Sequence, residues 1–170
     1  MKILIIGAGK MGEALIKAWL SKSLKLGINI TVLEINKNKL RKIKNHYPDI
    51  VIIDRLASTW RGDLVLLAVK PQSFIDISMN SIFEKINAKM VLSIMAGITL
   101  NSLENKTSMD ATFIRAMPNL ASSLCMGVTG VYTKNKINKK CKNKIQMLLE
   151  ALGFVIWLKS EKQFNSLTAI

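Results

Sequence analysis

The chain has 170 residues, 49% of them hydrophobic, which suits one globular domain and excludes a disordered polymer. Its formal net charge is +14, but 21 of the 25 cations are lysines, and the densest cluster, Lys134 to Lys144, falls on the polar face of a predicted helix; a solvated lysine surface is therefore favoured over a specific nucleic-acid site. No apolar run reaches the roughly 20 residues of a membrane span, Lys10 and the early glycines rule out a signal peptide, and Cys125 and Cys141 with the single His46 do not make a zinc site, so a cytoplasmic protein with reduced thiols, no metal and no membrane partner is expected.

Ile3–Ile6 is a continuous apolar run that reads as a short buried strand. Gly7-Ala8-Gly9-Lys10-Met11-Gly12 follows, and a helix beginning at Met11–Glu13 carries Ala14, Leu15, Ala18 and Trp19 on its apolar face. Strand, G-x-G-x-x-G and helix, in that order, are what a dinucleotide pyrophosphate site requires. Gly7 allows the tight turn, Gly9 leaves bare backbone for the phosphates, and Gly12 lets the helix lie close to the strand. The helix N-terminus adds unsatisfied N–H groups and a partial positive charge. A corner whose glycines serve packing alone would share the pattern.

The next run, Ile30–Leu33, ends at Glu34, 22 residues after Gly12. An acid at that separation accepts hydrogen bonds from an adenosine ribose and repels a 2′-phosphate, which favours NADH over NADPH. Lys37, Lys39 and Arg55 would offset that repulsion and admit NADPH. The position equally suits an ordinary acid at the start of a helix.

Helical spacing at Leu40, Ile43 and Tyr47 precedes a third run, Ile50–Ile53, and a fourth, Leu64–Ala68. The fourth continues into Val69-Lys70-Pro71-Gln72, with Pro71 a natural first helical residue. After Phe74, Ile77 and Ile82 at helical spacing, Met90–Ile94 leads into Met95-Ala96-Gly97, small residues that permit close approach of a flat ring. Thr112–Ala116 and Val128–Tyr132 are further strands, followed by a helix over Lys136–Leu152, Gly153 as its C-cap, and a strand over Phe154–Leu158. Continuous apolar strands alternating with helices predict an α/β, doubly wound, mostly parallel sheet with helices on both faces and ligands on the rim at the strands' carboxyl ends. No linker divides the chain before about residue 160.

These motifs together resemble pyrroline-5-carboxylate reductase. The ordered series is the Gly7–Gly12 turn, Ala68-Val69-Lys70-Pro71, Ser93-Ile94-Met95-Ala96-Gly97-Ile98-Thr99, Arg115-Ala116-Met117-Pro118-Asn119, Gly127-Val128-Thr129, and then Gly153, Trp157, Glu161, Phe164 and Thr168-Ala169-Ile170. The resemblance implies a Rossmann-like domain that binds NADH or NADPH, here residues 1–160. In the family a helical domain follows, which dimerises and completes the active site; residues 161–170 would begin the connection to it. The resemblance further implies that Ile6, Gly7, Ala8, Gly9, Lys10, Met11, Glu34, Arg55, Ala68, Val69, Lys70, Pro71, Ile94, Met95 and Ala96 line the dinucleotide, Glu34 and Arg55 matching by position only.

The chain departs from the family at Leu120-Ala121, where threonine and proline are usual, and at Ile170, where the family continues into a serine- and glycine-rich substrate loop. It therefore reads as the cofactor half of a reductase of 1-pyrroline-5-carboxylate, homo-oligomeric when whole. Lys70, Met95 and Asn119 are expected at the nicotinamide end, and no residue is assigned a catalytic role. If a helical part covers the end near Phe164–Ile170 in the family, this chain is expected to expose that tail, fray there or self-associate. Competing readings are a reductase of another imine or hydroxyacid on the same fold, a non-catalytic dinucleotide-binding module, and a charge-driven nucleic-acid binder.

Overall fold

The computed structural model describes residues 1–21, 27–79, 81–119 and 127–167. Among these, eight strands form one sheet: β1 (Lys2–Ile6), β2 (Asn29–Leu33), β3 (Val51–Ile53), β4 (Trp60–Leu67), β5 (Ile86–Ser93), β6 (Thr112–Pro118), β7 (Gly127–Tyr132) and β8 (Gly153–Trp157). Their order is β3-β2-β1-β4-β5-β6-β7-β8. The first six are parallel; β7 runs antiparallel to β6, and β8 runs parallel to β7. The predicted mostly parallel α/β sheet is thus present, with two reversed strands at one edge.

The strands are apolar along their length because successive side chains feed two cores. Ile3, Ile5, Leu64 and Leu66 pack with α1 (Lys10–Ser21), α2 (Lys37–His46) and α5 (Lys139–Leu149) through Trp19, Ile43 and Leu148. Leu4, Ile6, Val65 and Leu67 pack on the other face with α3 (Pro71–Met79) and α4 (Leu100–Thr107) through Phe74, Leu100 and Leu103. Trp19, fully buried, donates its indole N–H to Leu148 O at 2.8 Å, fastening α1 to α5. Burying a side chain of that size stabilises the fold by about 2–3 kcal/mol.

Several elements differ from the sequence reading. The helix expected over 136–152 begins at Lys139, because Asn138 caps it by accepting the Cys141 N–H at 2.8 Å, and its last turn, Glu150–Leu152, is 3-10. Gly153 ends that turn at φ 129°, and its reason is chiefly close approach: a Cβ there would lie 2.1 Å from Gly127 O, the first residue of the paired strand. Phe164, at the start of the tail for which exposure was one expectation, opens α6 (Phe164–Leu167) and is only 2% exposed, under the Arg115 guanidinium 4.5 Å from its ring centroid. Exposed large apolar side chains among the described residues include Phe154 and Ile156 on β8, Val51 on β3, and Ile35. Cys125, Leu120-Ala121 and Thr168–Ile170 fall outside the described residues.

Candidate functional site

The register places the candidate residues along one rim. Ile6 is level with Leu33 and Leu67, Leu33 with Ile53, and Leu67 with Ser93, so Gly7, Glu34, Asp54, Ala68 and Ile94 each follow a strand at the same edge. Strand order reverses between β1 and β4, where open α/β sheets hold their ligands. Ser93 pairs with Arg115, so β6 runs on to Pro118 and stands about 10 Å above the rim at ~3.3 Å per residue. Asn119 lies at the top of this wall, its Oδ1 accepting the Val128 N–H at 3.3 Å.

The three glycines of the first turn stand in different surroundings. Gly7, at φ 87°, donates to Leu33 O at 2.9 Å, and a Cβ on it would lie 2.4 Å from Val69 Cγ1. At Gly12 a Cβ would meet Gly7 O at 3.1 Å and the Ala68 methyl at 3.2 Å, so helix and strand close against it. Gly9 is unlike either: a Cβ would meet nothing nearer than Ala68 O at 3.8 Å, so the fold itself leaves room there. The first helical bond runs from Glu13 N–H to Gly9 O, which leaves the N–H groups of Lys10, Met11 and Gly12 without an acceptor inside α1. Bare backbone and a helix N-terminus side by side fit a pyrophosphate.

Glu34 does more for the turn than sequence spacing indicated. Its carboxylate is 7% exposed; Oε2 accepts the Ala8 N–H and Oε1 the Asn36 N–H, each at 3.0 Å, with Lys39 Nζ 3.7 Å from Oε2. The acid therefore braces the glycine turn from the end of β2. Glu34 N–H donates to Ile53 O at 3.1 Å, which brings exposed Arg55 to the same part of the rim. Arg55 lines a shallow cavity of about 430 Å³ with Leu40, Arg41, Lys44 and Asp54.

On the other side of the switch, Ala68 N–H donates to Ile6 O at 2.9 Å. Val69 is half-buried, Lys70 is exposed, and Pro71 opens α3, with Lys70 O accepting the Phe74 N–H at 3.0 Å. Ile94 N–H donates to Leu67 O, and the buried Ser93 Oγ accepts the Met95 N–H at 3.2 Å. Ile94 is half-buried and Ala96 exposed, but the Met95 side chain points into the second core, so it presents backbone to the rim. Gly97 turns at φ 74° toward Thr99, which caps α4.

Shifted titrations lie away from this rim. At the sheet's opposite end the Lys2 backbone N–H, aided by Lys144 and Lys89, holds the Asp63 carboxyl below its ordinary range, and burial raises the Tyr47 phenol. Among the described residues no three His, Cys, Asp or Glu side chains are grouped to hold a metal, and no helix is long and apolar enough to cross a membrane.

A family model described as NADP oxidoreductase, coenzyme F420-dependent, matches residues 2–97, more than half of the chain and the whole of the rim from β1 to Gly97. The chain belongs to that family. It is an oxidoreductase family, and its description supports a nicotinamide dinucleotide as cofactor. The resemblance read from the motif series is also borne out: the chain is 27% identical over 168 residues to a pyrroline-5-carboxylate reductase of Vibrio alginolyticus, covering 99% of this chain. A solved pyrroline-5-carboxylate reductase of Coxiella burnetii superposes with a TM-score of 0.82 at 26% identity over 99% of this chain. The fold is shared as well with the Plasmodium falciparum pyrroline carboxylate reductase with NADP bound, TM-score 0.78 at 20% identity. The chain spans 61% of the Vibrio protein's length and 62% of each of those two structures.

Proposed function

We propose that the chain is the dinucleotide-binding part of a pyrroline-5-carboxylate reductase. Residues 1–160 form its cofactor domain, and residues 161–170 lead toward the share of the relatives' length it does not span. The observation that supports this most is the match along 99% of the chain to such a reductase, together with a rim whose open position, Gly9, lies beside a helix N-terminus.

Bound NADH or NADPH supplies a hydride for the carbon of the C=N bond in 1-pyrroline-5-carboxylate, giving proline when the nitrogen carries a proton. A protonated imine is already electrophilic, so the protein's task is mainly orientation and exclusion of wrong geometries. Gly9 and the N–H groups of Lys10, Met11 and Gly12 hold the pyrophosphate; Ile6, Gly7 and Ala8 shape the turn beneath it. Glu34 and Arg55 flank the adenosine end. Ala68, Val69, Lys70, Pro71, Ile94, Met95 and Ala96 line the nicotinamide half, with Asn119 above it, and none of these residues is given a catalytic role. We favour NADH, since Glu34 keeps lone pairs for a ribose hydroxyl and its charge repels a 2′-phosphate, although Lys39 lies 3.7 Å away. In the whole enzyme, oligomerisation and the proton donor belong to the part this chain does not span.

Titration of NADH fluorescence with the purified chain, followed by a turnover assay with 1-pyrroline-5-carboxylate, tests this. Binding without appreciable turnover is expected. Rapid turnover by the chain alone contradicts its assignment as the binding part, and no binding contradicts the whole reading.

A further inference from the structure

One carboxylate joins three distant parts of the chain behind the nicotinamide side of the rim. Glu161, in the 3-10 turn Glu161–Gln163 after β8, accepts the Leu100 N–H at 2.9 Å and the Arg115 Nη1 at 3.0 Å, both on Oε1. Leu100 is the first residue of α4, so its N–H is one of the donors a helix leaves unsatisfied. Arg115 lies within β6, which rises to Asn119, and its guanidinium is buried against Phe164. Arg115 Nε is buried with no hydrogen-bond partner among the described residues, and Glu161 pairs with the same guanidinium through Nη1.

The segment these contacts hold is the turn between β5 and α4. Met95 fastens one end, through its buried side chain and its bond to Ser93 Oγ. Between Met95 and Leu100 lie exposed Ala96 and Gly97, the latter at φ 74°. The far end is fixed at Leu100 by a residue 61 positions later. We propose that Glu161 is a positioning residue for the dinucleotide's nicotinamide half: it sets the 94–99 turn against the β6 wall, so that the chain segment following β8 controls how the ring is seated. This rests on the proposed dinucleotide site, and deepens it by tying the rim to the stretch that leads toward the rest of a longer protein.

Comparison of two ligands separates positioning from general stability. ADP-ribose carries the adenosine and pyrophosphate but no nicotinamide, so it uses the glycine turn without the 94–99 turn. Affinities of NADH and ADP-ribose are measured for the unaltered chain, for Glu161→Ala and for Glu161→Gln, beside each variant's thermal midpoint. Glu161→Ala is expected to weaken NADH about tenfold by loosening a preorganised turn, with ADP-ribose changed less than twofold. Glu161→Gln keeps a neutral acceptor for Leu100 N–H and leaves Arg115 without a counter-charge, so a smaller loss with the same ligand pattern is expected, and it serves if the alanine variant does not fold. Equal losses for both ligands, or no loss for either, overturn the inference. Failure of the unaltered chain to bind ADP-ribose or NADH overturns the underlying site instead.

Discussion

The Glu34 carboxylate accepts the Ala8 N–H at 3.0 Å, so the acid that ends β2 holds the middle of the glycine turn that follows β1. The contact is buried and charge-assisted, the class of hydrogen bond that contributes most to stability. Glu34→Gln should therefore destabilise the chain by about 1–2 kcal/mol in denaturant unfolding. The same change removes the charge facing a 2′-phosphate and should raise the NADPH-to-NADH affinity ratio. An unchanged ratio would count against Glu34 as the residue that discriminates between them.

Gly7 and Gly9 should respond oppositely to alanine. Gly7→Ala forces a methyl to within 2.4 Å of Val69 Cγ1 on a backbone at φ 87°, and is expected to cost about 1–3 kcal/mol of stability. Gly9→Ala meets only an ordinary contact at 3.8 Å and should unfold like the unaltered chain, while its methyl occupies the proposed pyrophosphate space. Paired thermal melts and NADH titrations read both effects.

Asp63 gives the fold a pH signature. Its folded carboxyl titrates below the ordinary 3.8 because the Lys2 backbone N–H donates to it at 2.9 Å. A depressed acid stabilises the native state above its unfolded value, and that contribution disappears as pH falls through the folded value. Asp63→Asn should thus lose stability near neutrality yet show a shallower further loss below pH ~4. Unfolding midpoints across pH 2–7 check the sign.

The reversed edge exposes two large apolar side chains, Phe154 at 79% and Ile156 at 48%, both on the strand that ends the sheet there. Exposed apolar edges template association between chains. The Phe154→Ser, Ile156→Thr double variant should sediment with less self-association than the unaltered chain. Its unfolding free energy should move by less than about 0.5 kcal/mol, since neither side chain is in the core.

Much of the frame was legible from sequence because buried parallel strands have to be apolar on both faces: Ile3–Ile6 and Ile30–Leu33 fall within observed strands, and Met90–Ile94 overruns the end of β5 by one residue. The G-x-G-x-x-G turn was legible because steric demands at Gly7 and Gly12 are local. Helix α4 went unread, its eight residues LNSLENKT being mostly polar and its start held by Thr99 and the distant Glu161. Apolar content carries no sign of direction either, so nothing in Val128–Tyr132 foretold that β7 runs against β6. Glu34 was placed at the rim by spacing, but its inward turn onto Ala8 depends on a contact between strands. The Arg115–Glu161 pair, 46 residues apart, could be named only as two motif positions.

The proposed seat of the nicotinamide dinucleotide is the open backbone at Gly9, beside the first turn of α1. The most direct measurement is an NADH fluorescence titration of the unaltered chain beside Gly9→Ala, at matched thermal stability. Saturable binding by the unaltered chain is expected, with a loss of about tenfold or more in Gly9→Ala, in keeping with a methyl displacing a phosphate from its backbone donors. Equal affinity in the two proteins, or no saturable binding by the unaltered chain, would contradict it.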